Sequence, residues 1–295
     1  MKRNYTASYP KVSIVFPTLN GWKDTKDCLE SIEGLDYSKD NLEVIVVDNG
    51  STDGTVEKLQ NSNREAGYSL PKLQVIKNIK NLGFARAVNK GIKKARGNYI
   101  LVTNNDVLFG KESLKKMIGF IVENPNAGVV GPYGYNYNFY GGLFKKLPIS
   151  NLPTKADWIA GSAMLFSKSL WQKLKGFDEG FFFTGEDVDF CLRTKYIGKK
   201  SIQIPNCRIS HKDGKSINRP ELSYFKYFEG YKSKFRLILK HGNLLQIISS
   251  TFLQFFIYLP YKTLLLGEKS GKALVSAFIW NIKNLRSTLK ARTLV

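Results

Sequence analysis

Four short apolar runs alternate with segments of helical periodicity in the N-terminal part of the chain. The runs lie at residues 12–16, 43–47, 73–76 and 99–102 and are rich in β-branched and aromatic side chains, as is typical of strands. The run at 43–47 is almost continuously apolar, which indicates a strand covered on both faces of a sheet. Because a helix between successive strands implies parallel pairing, we expect an α/β fold with a mostly parallel sheet flanked by helices.

The fourth run ends in three polar residues, Asn104, Asn105 and Asp106. In open α/β sheets, ligands bind beyond the carboxyl ends of the strands. One carboxylate is too few for a metal cage made by protein alone, but Mg²⁺ or Mn²⁺ shared with a diphosphate needs only one or two protein oxygens. The sequence therefore predicts Asp106 as a direct metal ligand. The alternative is that Asp106 only caps the helix predicted at residues 112–123.

Two further polar clusters follow the second and third runs. Asp48 and Asp53 lie in a turn-forming segment, where either carboxylate could accept from a base or a ribose; the alternative is turn formation and helix capping. Asn81, Gly83 and Asn89 open and line the next helix. Its N-terminal N–H groups suit a phosphate and the glycine permits close approach, although an ordinary helix start is the alternative.

Beyond Asp106 the alternation stops, and residues 133–142 are predicted to form a loop. Glu186 and Asp187 follow an aromatic run. Paired carboxylates in a partly apolar pocket have pKa values that are pushed apart, which favours a general base near neutral pH; the alternative is a pair of solvated acids at a helix start. Asp189 is expected to be structural. His211 could ligate a metal or donate to a phosphate, but a lone histidine is usually structural.

The chain carries a formal net charge of +21, and 43% of its residues are hydrophobic. A packed core is therefore expected, and the charge indicates an anionic partner, namely nucleic acid, acidic lipid or a phosphorylated substrate, unless the surface is basic without a specific partner. The three cysteines form no CxxC pair and no apolar segment follows the basic N-terminus. These features favour a reducing, cytoplasmic location without a signal peptide.

The C-terminal part differs from the rest in composition. From residue 224 onward the chain contains twelve Lys and Arg residues but only two acidic residues, both Glu. Residues 244–261 carry no charge. This stretch of about 18 residues is marginal for a span of about 20. We therefore predict two domains, residues 1–220 and 221–295. The second is expected to be a basic amphipathic helical extension on an anionic membrane surface; a helical subdomain or a homodimer interface is the alternative.

Together, these stretches resemble the inverting family-2 glycosyltransferases of the GT-A fold, particularly the rhamnosyltransferase-like branch. The resemblance covers roughly residues 12–216. It rests on seven motifs in the family order, which are VSIVFPTLN at 12–20, VVDNGSTDGT at 46–55, NLGFARAVNKG at 81–91, TNNDV at 103–107, AGSAM at 160–164, GEDVDFCLR at 185–193 and HKDGKS at 211–216.

The resemblance implies transfer of rhamnose or another hexose from a dTDP- or UDP-linked donor to a glycan or lipid-linked acceptor in cell-surface polysaccharide synthesis. Asp187 matches the catalytic base, with Glu186 beside it. Asp106 matches the aspartate that binds Mg²⁺ or Mn²⁺, and His211 matches a late contact of the family with the metal or the diphosphate. Trp158 and Gly161 lie where acceptor and donor sugar should meet. The residues implied to bind the nucleotide-sugar are Pro17, Thr18, Asn20, Asp48, Asp53, Asn81, Gly83, Asn89, Asn104 and Asn105. The motif is Asn-Asn-Asp instead of DxD, so the number of protein ligands stays open.

Three other functions compete with this interpretation. A sugar nucleotidyltransferase needs a glycine-rich basic loop after the first strand, but residues 17–23 contain one lysine. A nucleic-acid-binding protein would account for the charge but not for the carboxylate motifs, so no nucleic-acid partner is expected. A pseudoenzyme that binds a nucleotide-sugar as a scaffold would retain the same motifs. The resemblance places the protein in the cytoplasm, peripherally on the inner face of the membrane.

Overall fold

The computed structural model describes residues 9–65, 72–133, 137–140, 143–146, 150–212 and 222–292. The strands are β1 Val12–Thr18, β2 Leu42–Asp48, β3 Leu73–Lys77, β4 Tyr99–Thr103, β5 Val107–Phe109, β6 Ala127–Pro132, β7 Tyr137–Tyr140, β8 Leu143–Lys146, β9 Thr154–Ala156, β10 Ala163–Ser167, β11 Lys200–Ile204 and β12 Ile209–His211. The α-helices are α1 Trp22–Glu33, α2 Thr55–Glu65, α3 Phe84–Lys94, α4 Ser113–Glu123, α5 Lys168–Lys173, α6 Glu186–Tyr196, α7 Ser223–His241, α8 Leu244–Phe252, α9 Leu259–Leu266, α10 Glu268–Lys283 and α11 Leu285–Arg292.

Eight strands form one sheet in the order β3-β2-β1-β4-β10-β6-β11-β9. The four strands predicted from the sequence, β1 to β4, pair in parallel. Strand β10 runs antiparallel to both β4 and β6, while β6 and β11 are parallel. The expected α/β fold with a mostly parallel sheet is confirmed, and the carboxyl ends of β1, β2 and β4 lie side by side.

Each face of the sheet has its own apolar layer. Successive side chains of β2 alternate between them, since Val44 and Val46 belong to one cluster and Ile45 and Val47 to the other. The first layer is closed by α1, α2 and α4, and the second by α3, α5 and α6. Burial on both faces explains why β2 is nearly devoid of polar residues.

The prediction of a loop at residues 133–142 is partly wrong, because this segment contains strand β7. Residues of β7 pair antiparallel with β8 and form a separate two-stranded sheet. A second small sheet pairs β12 with β5, directly after the polar tip of β4. Neither pair shows an isolated apolar run in the sequence, because both are short and lie outside the main sheet.

The C-terminal helices pack on the domain that contains the sheet. Leu237 and Ile238 of α7 share an apolar cluster with Val188 and Leu192 of α6. A second cluster joins α7 to α10. The domain division at residue 220 stays a prediction, since α7 contributes to the core of both parts.

A continuous helical stretch follows α7. It consists of α8, a π-helical segment at Leu253–Tyr258 and α9. Among the described helices this stretch, Leu244–Leu266, has the length and apolar composition needed to cross a membrane. Only 11% of its most apolar part is buried. It therefore extends beyond the uncharged segment that the sequence singled out. A glycine turn at Gly267 then leads into α10.

Candidate active site

A cleft of about 780 Å³ lies beyond the carboxyl end of β4, between that strand end, α6 and α7. Nine of the residues predicted from the sequence line it. These are Pro17, Asn104, Asn105, Asp106, Trp158, Gly161, Glu186, Asp187 and His211. The structure thus brings the polar tip of β4 and the carboxylate pair of α6 to one cavity, although they are far apart in the chain.

Asp106 and His211 meet because β5 and β12 are paired. His211 lies opposite Val107 in that ladder, and the N–H of Lys212 donates to the carbonyl oxygen of Asp106. As a result the imidazole Nε2 lies 3.0 Å from Oδ1 of Asp106. The Nδ2 of Asn104 lies 3.3 Å from the same Nε2. A histidine that looked isolated in the sequence is therefore next to the predicted metal ligand.

The donor set at this point fits a divalent cation that shares its coordination with a diphosphate. A carboxylate oxygen and an imidazole nitrogen lie together, and Mg²⁺ and related ions use few protein ligands when a substrate phosphate supplies others. In the described ranges, no group of three or more His, Cys, Asp or Glu side chains is placed to hold a metal. Residues Asp106 and His211 are the pair that would contact the ion.

Glu186 and Asp187 lie in the first turn of α6. They are far from β4 in the sequence but line the same cavity as the polar tip of that strand. Burial and the charge of Asp187 raise the pKa of Glu186 to about 8. Burial also raises the pKa of Asp187, while the N–H groups of Gly161 and Val188, at 3.0 and 2.8 Å from its carboxylate, act in the opposite direction. With a pKa of about 8, Glu186 is mostly protonated near neutral pH. The two N–H groups favour the ionised form of Asp187 against the effect of burial.

Gly185 positions this turn. It precedes α6 in the left-handed region with φ of 94°, and an added Cβ would lie 3.2 Å from the Cβ of Ser233 on α7. Glycine adopts this conformation without the steric cost of a side chain. The start of α6 is therefore pressed against α7.

Asp189, which the sequence analysis expected to be structural, faces away from the cleft. Its carboxylate pairs with Arg193 at 2.8 Å, Lys240 at 2.5 Å and His241 at 2.8 Å. Burial opposes ionisation, but these three groups hold the pKa of Asp189 far below its usual range. The contacts fix α6 to α7.

Asn105 and Thr18 join the strand tip to the loop after β1. The Nδ2 of Asn105 donates to the hydroxyl oxygens of Thr18 and Thr25 at 3.3 and 3.1 Å. The two threonine hydroxyls are 2.8 Å apart and buried. Asn105 therefore lines the cleft while its amide nitrogen braces the loop, and Thr18 lies behind the lining.

Asn20, Asp48 and Asp53 lie outside the cleft lining. Asp48 and Asp53 make contacts within their own loop, and Asn20 joins the loop after β1 to that loop. Asp48 accepts from the N–H groups of Gly50 and Ser51 at 3.1 Å. Asp53 accepts from the N–H and hydroxyl of Thr55 at the start of α2, and Asn20 accepts from the N–H of Thr52. These are the turn and capping contacts that were considered as the alternative. Their role in binding the nucleotide stays a prediction.

The structure corrects the expectation for the start of α3. An added Cβ on Gly83 would lie 2.5 Å from the carbonyl oxygen of Phe182, and the N–H of Phe84 donates to that same oxygen at 2.8 Å. Protein backbone therefore occupies the space expected for a phosphate. Asn81 accepts from the amide of Asn49 and from the N–H of Gly83, so it shapes this turn from an exposed position.

Asn89 does not reach the cleft. Its Oδ1 accepts from Nε1 of Trp171 and from the N–H of Phe177, and its Nδ2 donates to the carbonyl oxygen of Phe177 and to Glu179. The side chain is buried and fully engaged. Its predicted contact with the nucleotide-sugar is wrong, because the amide joins α3 to the segment after α5.

Four cleft residues on α7 were missed by the sequence analysis. Gly230, Ser233, Lys234 and Leu237 line the cavity and follow the i, i+3, i+4, i+7 spacing of one helical face. The spacing was visible in the sequence. Nothing in the sequence, however, indicated that this face meets the start of α6.

Comparison with known proteins supports the assignment of the fold. Residues 13–186, more than half of the chain, match the family model described as Glycosyl transferase family 2. The N-acetylglucosaminyl-diphospho-decaprenol L-rhamnosyltransferase of Mycobacterium tuberculosis is 25% identical over an alignment of 223 positions, which covers 62% of this chain and 70% of that relative.

Two of the solved structures that resemble this protein cover most of the chain. One is the mannosyltransferase PcManGT from Pyrobaculum calidifontis, in complex with GDP-Man and Mn²⁺, with a TM-score of 0.61 at 19% identity. The superposition covers 98% of this chain and 82% of the PcManGT chain. Staphylococcus aureus TarS 1-349, in complex with UDP-GlcNAc, has a TM-score of 0.57 at 19% identity, with 90% and 79% covered. At these identities the likeness shows the fold, which is GT-A-like as expected.

Proposed function

Since the chain belongs to glycosyl transferase family 2, we propose that it transfers a hexose, with rhamnose the first candidate, from a dTDP- or UDP-linked donor to a lipid-linked or glycan acceptor, with inversion at the anomeric carbon. The proposed setting is the synthesis of cell-surface polysaccharide. The named activity of the mycobacterial relative, a rhamnosyl transfer to a sugar on a lipid diphosphate, supports this choice of donor sugar and acceptor.

One observation carries the proposal. The Asp106–His211 pair and the Glu186–Asp187 pair line the same cleft. The first pair suits the diphosphate end of a donor, and the second suits the hydroxyl of an acceptor. An inverting transfer needs both kinds of group around one anomeric carbon.

The chain's own residues account for the proton transfer. Asp187, whose ionised form is favoured by the N–H groups of Gly161 and Val188, takes the proton of the acceptor hydroxyl. The hydroxyl oxygen forms a bond to the anomeric carbon as the bond from that carbon to the diphosphate oxygen breaks. Neutral Glu186 adds no second negative charge beside the base. General-base assistance of this kind is typically worth about 10²–10⁴-fold in rate.

Asp106 and His211 would hold Mg²⁺ or Mn²⁺ at the donor end. When bound, such an ion acts as a Lewis acid that stabilises the negative charge of the departing diphosphate. The presence of Mn²⁺ beside GDP-Man in the Pyrobaculum structure supports this part of the proposal. Asn104 lies against His211 and orients its ring.

A panel of nucleoside-diphosphate-sugars tests the function. The purified protein is incubated with each donor and with Mg²⁺, Mn²⁺ or a chelator, and the released nucleoside diphosphate is measured with and without acceptor. We expect release from one dTDP- or UDP-sugar, loss of release with chelator, and loss in Asp106→Asn. Asp40→Asn, an exposed position outside the cleft, is the matched control and should behave as the unmodified protein.

Two results would contradict the proposal. Donor binding without any release of nucleoside diphosphate would leave a nucleotide-sugar-binding scaffold. Release of pyrophosphate from a nucleoside triphosphate and a sugar phosphate would identify a nucleotidyltransferase.

We further propose that the helical stretch Leu244–Leu266 lies on the anionic cytoplasmic face of the membrane. Two of its polar side chains point inward, since Ser250 and Gln254 are 5% and 3% exposed. Its apolar side chains point outward, with Leu245, Phe252 and Phe256 at 75%, 55% and 69%. Apolar groups this exposed indicate a nonaqueous neighbour. The seven exposed Lys and Arg residues of the C-terminal helices, at positions 226, 269, 272, 283, 286, 290 and 292, favour an anionic one.

Deleting residues 224–295 would remove α7 from the cleft, so substitutions test the membrane contact better. The triple variant Leu245→Gln/Phe252→Gln/Phe256→Gln should lose flotation with phosphatidylglycerol vesicles. A control with the same chemical change at exposed positions outside this helix, Ile79→Gln/Val122→Gln/Leu152→Gln, should float normally. Unchanged flotation together with conversion of a dimer to a monomer in the first variant would show instead that this face binds a second copy of the chain.

A further inference from the structure

Two lysines of the C-terminal helices come together where α7 meets α9. Lys234 of α7 lines the cleft, and its ammonium lies 5.2 Å from the ring centroid of Tyr258. Lys262 of α9 lies 5.3 Å from the ring centroid of Tyr231 on α7. Because each lysine contacts a tyrosine one helical turn from the other lysine, these reciprocal contacts place both positive charges at one junction.

These two ammonium groups differ from those of Lys232 and Lys240 on α7. Lys232 pairs with Glu229, and Lys240 pairs with Asp178 and Asp189. Neither Lys234 nor Lys262 forms an ion pair with a carboxylate in the part of the chain that the structure describes. Burial and the charge of Lys262 lower the pKa of Lys234 to about 8. Two like charges that are partly buried repel each other, and a bound anion would relieve that repulsion.

A neighbouring hydroxyl also lacks a partner. The Oγ of Ser233 lies in the cleft lining, is buried, and has no hydrogen-bond partner among the described residues. Buried polar groups without partners are rare and indicate a missing ligand or water. Ser233 and Lys234 line the same cleft, so the cavity that a ligand of Lys234 would enter also contains this hydroxyl.

The junction lies between two surfaces with different chemistry. On one side is the cleft, with Asp187 in its wall. On the other is the exposed apolar surface of α9, where Leu264 and Leu265 are 85% and 60% exposed. A ligand that reaches from Asp187 to α9 would therefore carry a polar head, a negative charge in the middle and an apolar tail.

We propose that Lys234 and Lys262 bind the phosphate or diphosphate group that joins the acceptor sugar to its lipid. This inference rests on the proposed transfer to a lipid-linked acceptor and assigns the residues that recognise the linkage. The sugar hydroxyl would lie at Asp187, the phosphate at the two ammonium groups, and the first isoprenoid or acyl carbons along α9. Charge complementarity and continuity with the cleft are the reasons for this choice of occupant.

A pair of simple lipids tests the site without requiring sugar transfer. Farnesyl diphosphate and farnesol differ only in the diphosphate, and their binding to the full-length protein is measured by titration calorimetry. We expect the affinity for farnesyl diphosphate to fall about tenfold in Lys234→Gln or Lys262→Gln and about a hundredfold in the double variant, as for loss of charged hydrogen bonds. The affinity for farnesol should not change, and Lys234→Arg should retain binding of the diphosphate.

Lys269→Gln is the matched control, because Lys269 is exposed on α10 of the same extension. It should bind both lipids as the unmodified protein does. Equal losses for farnesol and farnesyl diphosphate in the double variant, or no loss at all, would overturn the proposal. A loss of flotation on phosphatidylglycerol vesicles with an unchanged preference for farnesyl diphosphate would show that the lysines contact bulk headgroups, and would also overturn it.

The outcome is separable from that of the sugar-transfer assay. A protein that binds farnesyl diphosphate through these lysines but releases no nucleoside diphosphate from any donor would refute the proposed function alone. A protein that releases nucleoside diphosphate and transfers sugar equally well to acceptors with and without the diphosphate would refute the phosphate site alone.

Discussion

Asp187 and Asp189 lie two residues apart on α6 and have opposite surroundings. Asp187 faces the cleft, where its carboxylate accepts from two backbone N–H groups and burial raises its pKa. Asp189 faces α7, where Arg193, Lys240 and His241 hold its pKa far below the usual range. A separation of two residues corresponds to about 200° around a helix, so one turn presents a carboxylate to each side.

The comparison shows that burial alone does not decide what a carboxylate does. Burial raises the pKa of both aspartates, and the neighbouring cations reverse the result at Asp189 only. The cleft side therefore keeps a carboxylate that has enough proton affinity to act as a base. The α7 side keeps a permanent anion that fastens the helix, so the C-terminal helices position the proposed base.

The largest expected effect is on turnover. Asp187→Asn should lower the turnover number by about 10²–10⁴-fold, because the amide cannot accept the acceptor's proton. Donor affinity should be unchanged, as measured by calorimetry with the nucleoside-diphosphate-sugar. The unfolding midpoint should stay within a few degrees of that of the unmodified protein.

The pH dependence of turnover gives a second measurement at the same residue. A raised pKa means that the base form of Asp187 is lost as pH falls through a value above the ordinary range of aspartate. The acidic limb of the rate profile should therefore lie at higher pH than for a solvated aspartate. Equal losses of donor affinity and turnover in Asp187→Asn would contradict its assignment as the base.

On the side of α6 that faces α7, Asp189→Asn should mainly lower the free energy of unfolding. Removing one partner of a buried ion pair leaves uncompensated charges and typically costs about 3–5 kcal/mol. Here Arg193 and Lys240 would lose their shared carboxylate. Urea denaturation should show this decrease in the free energy of unfolding. A change of less than about 1 kcal/mol, comparable to that of an exposed pair, would mean that Asp189 does not fasten α6 to α7.

Glu186→Gln should change how stability depends on pH. The folded pKa of Glu186 is about 8, above the ordinary glutamate value of 4.5. As pH rises from 4.5 to 8 the unfolded chain loses this proton while the folded chain keeps it, so the unmodified protein becomes less stable. The glutamine variant lacks this slope. Its advantage in unfolding free energy should be small near pH 5, grow up to about pH 8 and then level off. A constant difference across this range would contradict the raised pKa.

The smallest effect on stability and turnover is expected at Gly185, which precedes α6 where the helix lies between the cleft and α7. Gly185→Ala should cost about 1–2 kcal/mol, because a non-glycine residue is unfavourable in the left-handed region and its Cβ would come close to Ser233. Turnover should also fall, since the first turn of α6 would shift. The matched control is Gly119→Ala, whose added Cβ would meet nothing within 4 Å, and it should leave turnover unchanged.

Much of the fold and part of the site could be predicted from the sequence. The strands β1 to β4 were recognisable because buried parallel strands need continuous apolar runs. Asp106 and Glu186–Asp187 were identified because each stands at an element boundary beside other polar residues. The contribution of α7 was not predictable, since its basic and aromatic composition suits a membrane surface and a cleft wall equally well. Asn89 was misassigned for a related reason, because an amide near a predicted phosphate site can also serve a buried network.

The sequence by itself determined the alternation of strands and helices, the order of the polar motifs and the excess of positive charge, because these depend on neighbours in the chain. Only the tertiary structure decided which carboxylate of α6 faces the cleft, that His211 lies beside Asp106, and that Lys234 and Lys262 meet without a carboxylate between them. Such pairings depend on the packing of segments that are distant in the chain, and that packing sets both the distances and the local dielectric on which charge interactions depend.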